Sequence, residues 1–323
     1  MEKIEIKNIS LNNGIEFPLV GLGTFRNADD KKSFKEAVKY AIKSGYRHLD
    51  GAWLYDIEDA IGEAIKEVIQ ESNGDLKRED LFIVSKIWNT FHSREAARQC
   101  LNEILANLGT SYVDLLLVHW PMGFSENLGM GPFPKDEQGN RLYSDVHYLE
   151  TYRALEEFLK EGKAKSIGVS NFNIKQLQDV LDNCEIKPVN NQIEVTPYLQ
   201  NDKLVEFCQK NGVVVSAYGP LGGSQKSTNR PDLPIVLENP VIVNIGKKYG
   251  KTPAQICLRW CIQRNIVVLP KSSNPQRMVQ NVQIFDFELS EQDMQDIKKL
   301  EQNYRVYSVE SLKDHKFYPF NEE

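Results

Sequence analysis

Four side chains able to hold or move protons stand at the ends of short apolar runs. Asp50 closes the run at 46–49 and Tyr55 follows five residues later; Lys86 comes directly after 81–85, and His119 after 113–118. A free phenol has a pKa of about 10, so at neutral pH it is a poor base and a reluctant donor. An adjacent ammonium stabilises the phenolate and brings the phenol closer to the range useful for proton transfer. Lys86 can supply that charge, and the carboxylate of Asp50 can keep a buried lysine protonated. His119 can donate a hydrogen bond that orients and polarises a carbonyl oxygen beside Tyr55. Together they suit a reaction in which a carbonyl oxygen gains a proton while its carbon receives a hydride. Singly, three of them have a plainer role: Asp50 as a helix cap, Lys86 as a solvated strand end, His119 as a satisfied core histidine.

These residues need a scaffold that brings distant strand ends together. After an opening hairpin, expected from Ile4-Glu5-Ile6 and Ile15-Glu16-Phe17 around Asn12-Asn13-Gly14, eight short apolar runs read as strands: 19–22, 46–49, 81–85, 113–118, 165–169, 189–192, 213–217 and 266–269. Helical patterns lie between them at about 31–44, 57–71, 93–108, 147–161, 173–183, 201–211, 238–248 with 252–264, and 275–283. Gly45, Gly109 and Gly212 mark helix ends. Eight strand-helix repeats without a Pro/Ser-rich linker predict one α/β domain over 1–323, a (β/α)8 TIM barrel with an amino-terminal β-hairpin. A doubly wound sheet is the weaker alternative, since Gly21-Leu22-Gly23 lacks the third glycine of a dinucleotide fingerprint. Polar residues after the runs, namely Asp50, Lys86, His119, Ser170, Asn171, Gln192, Tyr218, Lys271 and Ser272, would then share one mouth.

Composition narrows the partners. The 323 residues carry a net charge of −6 from interspersed acids and bases, which gives no basic face for nucleic acid or anionic lipid. The opening MEKIEIKN has charges where a signal peptide needs an apolar core, and no run approaches the ~20 apolar residues of a membrane span. A soluble cytoplasmic protein is expected. Five scattered cysteines, Cys100, Cys184, Cys208, Cys257 and Cys261, fit reduced, mostly buried thiols, and no metal site is expected at Cys257 and Cys261.

The sequence resembles the aldo-keto reductases, close to the aldose and aldehyde reductases, over essentially its whole length. The resemblance is carried by Gly45-Tyr46-Arg47-His48-Leu49-Asp50 through Gly62, by Lys165-Ser166-Ile167-Gly168-Val169-Ser170-Asn171-Phe172, and by Leu269-Pro270-Lys271-Ser272 through Arg277 and Asn281. It implies a catalytic tetrad of Asp50, Tyr55, Lys86 and His119, an NADPH that binds first and lies extended across the barrel mouth, and a proton donated by Tyr55. Tyr218 offers a ring for stacking a nicotinamide, and Ser170, Asn171 and Gln192 offer partners for its carboxamide. Lys271, Ser272, Ser273, Asn274 and Arg277 gather cations and small donors around a helix start, which favours the 2′-phosphate of NADPH. Gln280 and Asn281 match adenine-reading positions; Gly23, Thr24, Phe25, Gly219 and Leu221 complete the implied cofactor set.

Departures from the family pattern bear on specificity. Gln225, in the loop Gly222-Gly223-Ser224-Gln225, stands where an aspartate clamps the cofactor, and Phe25 where tryptophan is frequent. Leu54, Trp88, Trp120, Met122 and Phe124 are the other expected walls of a hydrophobic substrate cleft. The connection from Pro121 to about Asp145 is long enough to read as a lid, and the tail from Asn303 to Glu323 matches the family's substrate loop, with Tyr307 and Val309 as pocket contacts. The implied activity is NADPH-dependent reduction of aldehydes and ketones by a monomer. A cofactor-binding regulatory protein with little turnover and a dedicated keto-steroid reductase, ecdysteroid-like ketones included, are the alternatives. The intact tetrad favours the enzyme, and His119 argues against steroid double-bond reduction, which the family associates with glutamate there.

Overall fold

Successive side chains of a strand leave it on opposite faces, and in this chain both faces are covered. The computed structural model describes residues 6–25, 30–223 and 235–321. A hairpin pairs β1 (Asn8–Ser10) with β2 (Glu16–Pro18). Eight parallel strands follow, each paired with the next: β3 (Leu22–Gly23), β4 (His48–Asp50), β5 (Phe82–Ile87), β6 (Leu115–Val118), β7 (Ile167–Ser170), β8 (Asn190–Glu194), β9 (Val214–Tyr218) and β10 (Ile266–Leu269). Parallel bridges Val20–Val268 and Gly23–Lys271 return the last strand to the first, and the Gly21 N–H donates to Val268 O at 2.9 Å. The result is a (β/α)8 barrel, with the expected hairpin ahead of it. Its helices are α1 (Lys31–Lys43), α2 (Glu58–Glu71), α3 (Arg94–Leu108), α4 (Tyr148–Lys160), α5 (Ile174–Asn183), α6 (Asp202–Lys210), α7 (Pro240–Tyr249), α8 (Pro253–Gln263), α9 (Pro275–Val282) and α10 (Glu291–Lys298).

The alternation divides the apolar residues into two cores. Leu49, Ile83, Ile87, Leu116, Val118, Ile167, Val169, Ile193 and Val215 face the helices and join the larger cluster. Phe82, Val84, Leu115, Leu117, Val214, Val267 and Leu269 face inward and form a second cluster with Leu11 and Phe17. Phe17, from the hairpin, sits 4.8 Å from the His48 ring and 4.7 Å from that of Phe82, and plugs the end where the strands begin. The inward row then continues toward the strands' other end as Asp50, Lys86, Ser170, Gln192 and Tyr218, with His119 next after β6. Space inside is limited: a Cβ on Gly168 would lie 2.5 Å from Asn190 O and 2.9 Å from Leu117 Cδ2. Glycine is therefore what lets β7 pass its neighbours.

Some boundaries differ from expectation. Among the described residues the first hairpin strand is Asn8–Ser10, where the Leu11 N–H closes the turn on Ile15 O (2.9 Å) and puts Ser10 opposite Glu16; Ile4 and Glu5 of the expected strand lie outside the described residues. Continuous pairing of 19–22 is confined to Leu22, with Val20 held by a single bridge. Lys86 lies inside β5, which runs on to Ile87. Helix α10 was not expected at all; Ser290 caps it in a reciprocal box with Asp293. None of the five cysteines forms a disulfide, and all but Cys184 are buried. Among the described residues no helix is long and apolar enough to cross a membrane.

Candidate active site

Pairing across the sheet sets the heights of the site residues. Asp50 is level with Val84, and Lys86 with Leu117, two residues before His119. Lys86 Nζ donates to Asp50 Oδ1 (2.9 Å), to Asp50 Oδ2 (3.0 Å) and to Gly51 O (2.7 Å). Gln192 Nε2 also donates to Asp50 Oδ1 (2.8 Å), and the Thr24 hydroxyl donates to Asp50 O (2.6 Å). Lys86 is wholly buried and Asp50 nearly so. A buried ion pair persists when its remaining hydrogen-bonding capacity is met, which these contacts achieve.

Tyr55 arrives on a single 3-10 turn, Trp53–Tyr55, that follows Ala52. Its ring centre is 5.2 Å from Lys86 Nζ and 5.8 Å from the His119 ring, at 76° to it. The His119 main chain is held on both sides, its N–H donating to Ile87 O (3.1 Å) and its carbonyl accepting from Asn171 Nδ2 (3.0 Å). The four residues expected to act together are thus adjacent.

Burial dominates the ionisation of His119, Lys86 and Tyr55. It pushes His119 well below the ordinary histidine range, with Lys86 acting in the same direction, so the imidazole is neutral and keeps one N–H to donate. It pulls Lys86 down while Asp50 opposes. Tyr55 is pushed well above its usual range by burial, reinforced by the negative charge of Asp50. The net shift is thus opposite to the expected lowering, because burial outweighs the stabilisation that the Lys86 ammonium gives the phenolate. The ammonium directs its protons at Asp50 and Gly51, and the phenol is held protonated instead.

Beside this cluster, Ser170 Oγ donates to Gln192 O (2.9 Å), and Tyr218 OH to Asn171 Oδ1 (2.7 Å). The Ser170 hydroxyl and one N–H of the Gln192 amide are therefore engaged within the protein. The half-buried Tyr218 ring meets Tyr307 edge-on at 5.6 Å and 73°. Asn274 caps α9, its Oδ1 accepting from Arg277 N (3.0 Å), and Ser272 Oγ accepts from Asn274 N (3.1 Å). Lys271, Ser273, Arg277 and Gln280 are exposed there and Asn281 is buried. Gly23 bridges to Lys271, while Gly219 and Leu221 are partly exposed. Gln225 lies outside the described residues.

An aromatic wall flanks the cluster. Phe25 meets Tyr55 at 5.1 Å, and Trp88 meets His119 at 5.1 Å while its indole N–H donates to Pro132 O (2.8 Å). Leu54, Tyr307 and Val309 are half-buried, and Trp120 packs on Phe320 at 6.0 Å. Met122 and Phe124 are corrected: neither exposes any surface, so they back the wall rather than face the cleft. Phe133 is the wall residue the sequence did not disclose, packed on Trp88 at 5.3 Å and 46 % exposed. It sits in the long connection, where no periodicity marks a residue's direction.

Residues 19–302 match the profile of the Aldo/keto reductase family. The chain belongs to that family. It is similar to aldo-keto reductase family 1 member A1 of Mus musculus, 40 % identical over 98 % of both chains, and of Gallus gallus, 44 % identical over 97 % of both. Among solved structures, the aldose reductase of Schistosoma japonicum superposes with a TM-score of 0.91 at 40 % identity, covering 98 % of this chain and 100 % of the other. An aldo-keto reductase crystallised with NADPH gives 0.89 at 38 % identity, covering 99 % and 95 %. Members of the aldo/keto reductase family are oxidoreductases, and reduction of carbonyl groups is the general chemistry that membership supports.

Proposed function

We propose that this aldo/keto reductase uses NADPH to reduce aldehydes and ketones to alcohols, with Tyr55 as proton donor. The observation that carries the reading is the meeting of the Tyr55 phenol and the His119 imidazole beside one buried lysine-aspartate pair. His119 donates its N–H to the carbonyl oxygen and fixes its direction. The Tyr55 hydroxyl releases its proton to that oxygen as negative charge develops there. The Lys86 ammonium, held in place by Asp50 and Gly51, stabilises the phenolate left behind.

The residues present fit the cofactor. Lys271 and Arg277 have no ion-pair partner among the described residues and flank the capped start of α9, which suits a phosphate. Tyr218, tethered through its hydroxyl, presents a ring at the mouth. Bound NADPH supplies the hydride. The aromatic wall of Phe25, Trp88 and Phe133 favours hydrophobic carbonyl compounds. We further propose that residues 1–323 act as one cytoplasmic barrel domain, monomeric as the resemblance implies.

A panel of aromatic aldehydes, sugar aldehydes and ketones, followed by loss of NADPH absorbance, tests the reading. Turnover strongest with the aromatic aldehydes is expected. A folded, NADPH-binding protein inactive across the whole panel would overturn it in favour of a cofactor-binding protein without turnover.

A further inference from the structure

Glu194 ends β8, two positions beyond Gln192, and by strand alternation it too enters the barrel mouth. It is completely buried. Its Oε1 accepts the main-chain N–H of Val306 (2.9 Å) and its Oε2 that of Tyr307 (3.0 Å). A carboxylate removed from water needs strong hydrogen bonds, and here the backbone of the carboxy-terminal tail provides two of them.

That grip places the Tyr307 ring against the edge of Tyr218, at 5.6 Å and 73°. Gly219, at φ +58°, leaves the space for it: a Cβ there would lie 3.1 Å from Tyr307 Cε2. Tyr218 is tied in turn to Asn171, and Asn171 to the carbonyl of His119. Just beyond the grip Val309 adopts φ +46°, a conformation a β-branched residue takes only where its surroundings impose it. Past it, the Tyr318 hydroxyl donates to Ser308 O (2.6 Å). The tail is thus fastened to the barrel just before a strained residue and closed on itself across it, next to the ring proposed to carry the nicotinamide.

We propose that Glu194 is a positioning residue that couples seating of the carboxy-terminal tail to placement of the nicotinamide on Tyr218. The inference rests on the NADPH reading above. When the grip fails, Tyr307 leaves the edge of Tyr218 and the platform loosens, so NADPH binds less tightly. By thermodynamic reciprocity, NADPH stabilises the seated tail by the same factor.

The test uses the full chain, Glu194→Gln, Tyr307→Ala and the double variant. Glu194→Gln keeps the volume but turns one acceptor into an amide NH2 that faces a main-chain N–H. NADPH dissociation constants from fluorescence titration are expected to rise roughly tenfold in each single variant, within the range usual for coupled sites. The double should be no weaker than the weaker single, because both remove one linkage. KM for NADPH should change more than kcat. NADPH should slow proteolysis within the tail of the wild type but not of Glu194→Gln. A Glu194→Gln protein with a lowered Tm but wild-type NADPH affinity and tail protection would make Glu194 merely structural and overturn the proposal. Additive effects in the double would overturn it as well. Should Glu194→Gln not fold, wild-type NADPH affinity in Tyr307→Ala would do the same. A wild type that binds no NADPH would remove the cofactor reading itself, whereas normal binding with unaltered variants removes only the coupling.

Discussion

Lys86 directs its ammonium at three acceptors, two on Asp50 and one on Gly51, inside a barrel that excludes water from it. Replacing it with methionine leaves the Asp50 carboxylate buried with its counter-charge gone, which costs about 3–5 kcal/mol. Lys86→Met should therefore lower Tm as well as abolish turnover. Adding Asp50→Asn should recover most of the Tm and none of the activity, as thermal melts and an aldehyde assay would show; a double variant no more stable than the single would contradict the account. Asp50, Tyr55, Lys86 and His119 were legible because each interrupts or follows an apolar run with a polar group. Glu194 obeys the same period as Gln192 and could have been found by extending β8 by two residues. The upward shift of Tyr55 was not legible, since it depends on how densely the mouth is packed and on where the Lys86 protons point. Met122 and Phe124 look like wall residues by their nearness to His119 in sequence, but only the path of the long connection decides which side of the wall they occupy.

The strand-helix alternation was plain at the level of elements because strands buried on both faces read as continuous apolar runs and helices carry capping residues. Asn173 with Gln176 and Thr252 with Gln255 form reciprocal boxes at the expected starts of α5 and α8. Helix α10 carried the same signal in Ser290 and Asp293, yet its few apolar residues, Met294 and Ile297 among them, hid it. Contacts between elements were beyond reach. Lys31, Lys35, Lys39 and Lys43 form a four-residue stripe along α1, but its match to Asp59, Glu63, Glu67 and Glu71 of α2 is a property of helix packing. Likewise the tail meets the long connection through Tyr143 with Asp314 (2.6 Å) and His315 with Gly123 O (3.1 Å), a pairing of segments 171 and 192 residues apart.

For the whole molecule, the histidines set the acid limit. Burial pushes all five below their ordinary pKa: His48 to about 4, His92 to about 3, His119 well below, and His147 and His315 in the same direction. As pH falls through about 6.5 the unfolded chain takes up protons on these rings before the folded one does. The unfolded state then binds more protons, so stability falls below about pH 6.5. For His48 this continues to about pH 4, and for His92 to about pH 3. Glu58, pushed up to about 7 by burial, and Asp114, also raised by burial, act oppositely, but they are two carboxyls against five rings. Tm at pH 5.5 should lie below that at pH 7.5, and an equal or higher Tm in acid would contradict the shifts.

In the proposed reaction the barrel holds one phenol protonated beside a carbonyl. Tyr55→Phe removes one oxygen and leaves Lys86, Asp50 and the proposed cofactor platform in place. The decisive measurement is kcat for an aromatic aldehyde in this variant, taken alongside its dissociation constant for NADPH. That kcat should be about 10²-fold to 10⁴-fold below wild type with NADPH affinity close to wild type; a variant that binds NADPH and retains full kcat would rule out Tyr55 as the proton donor.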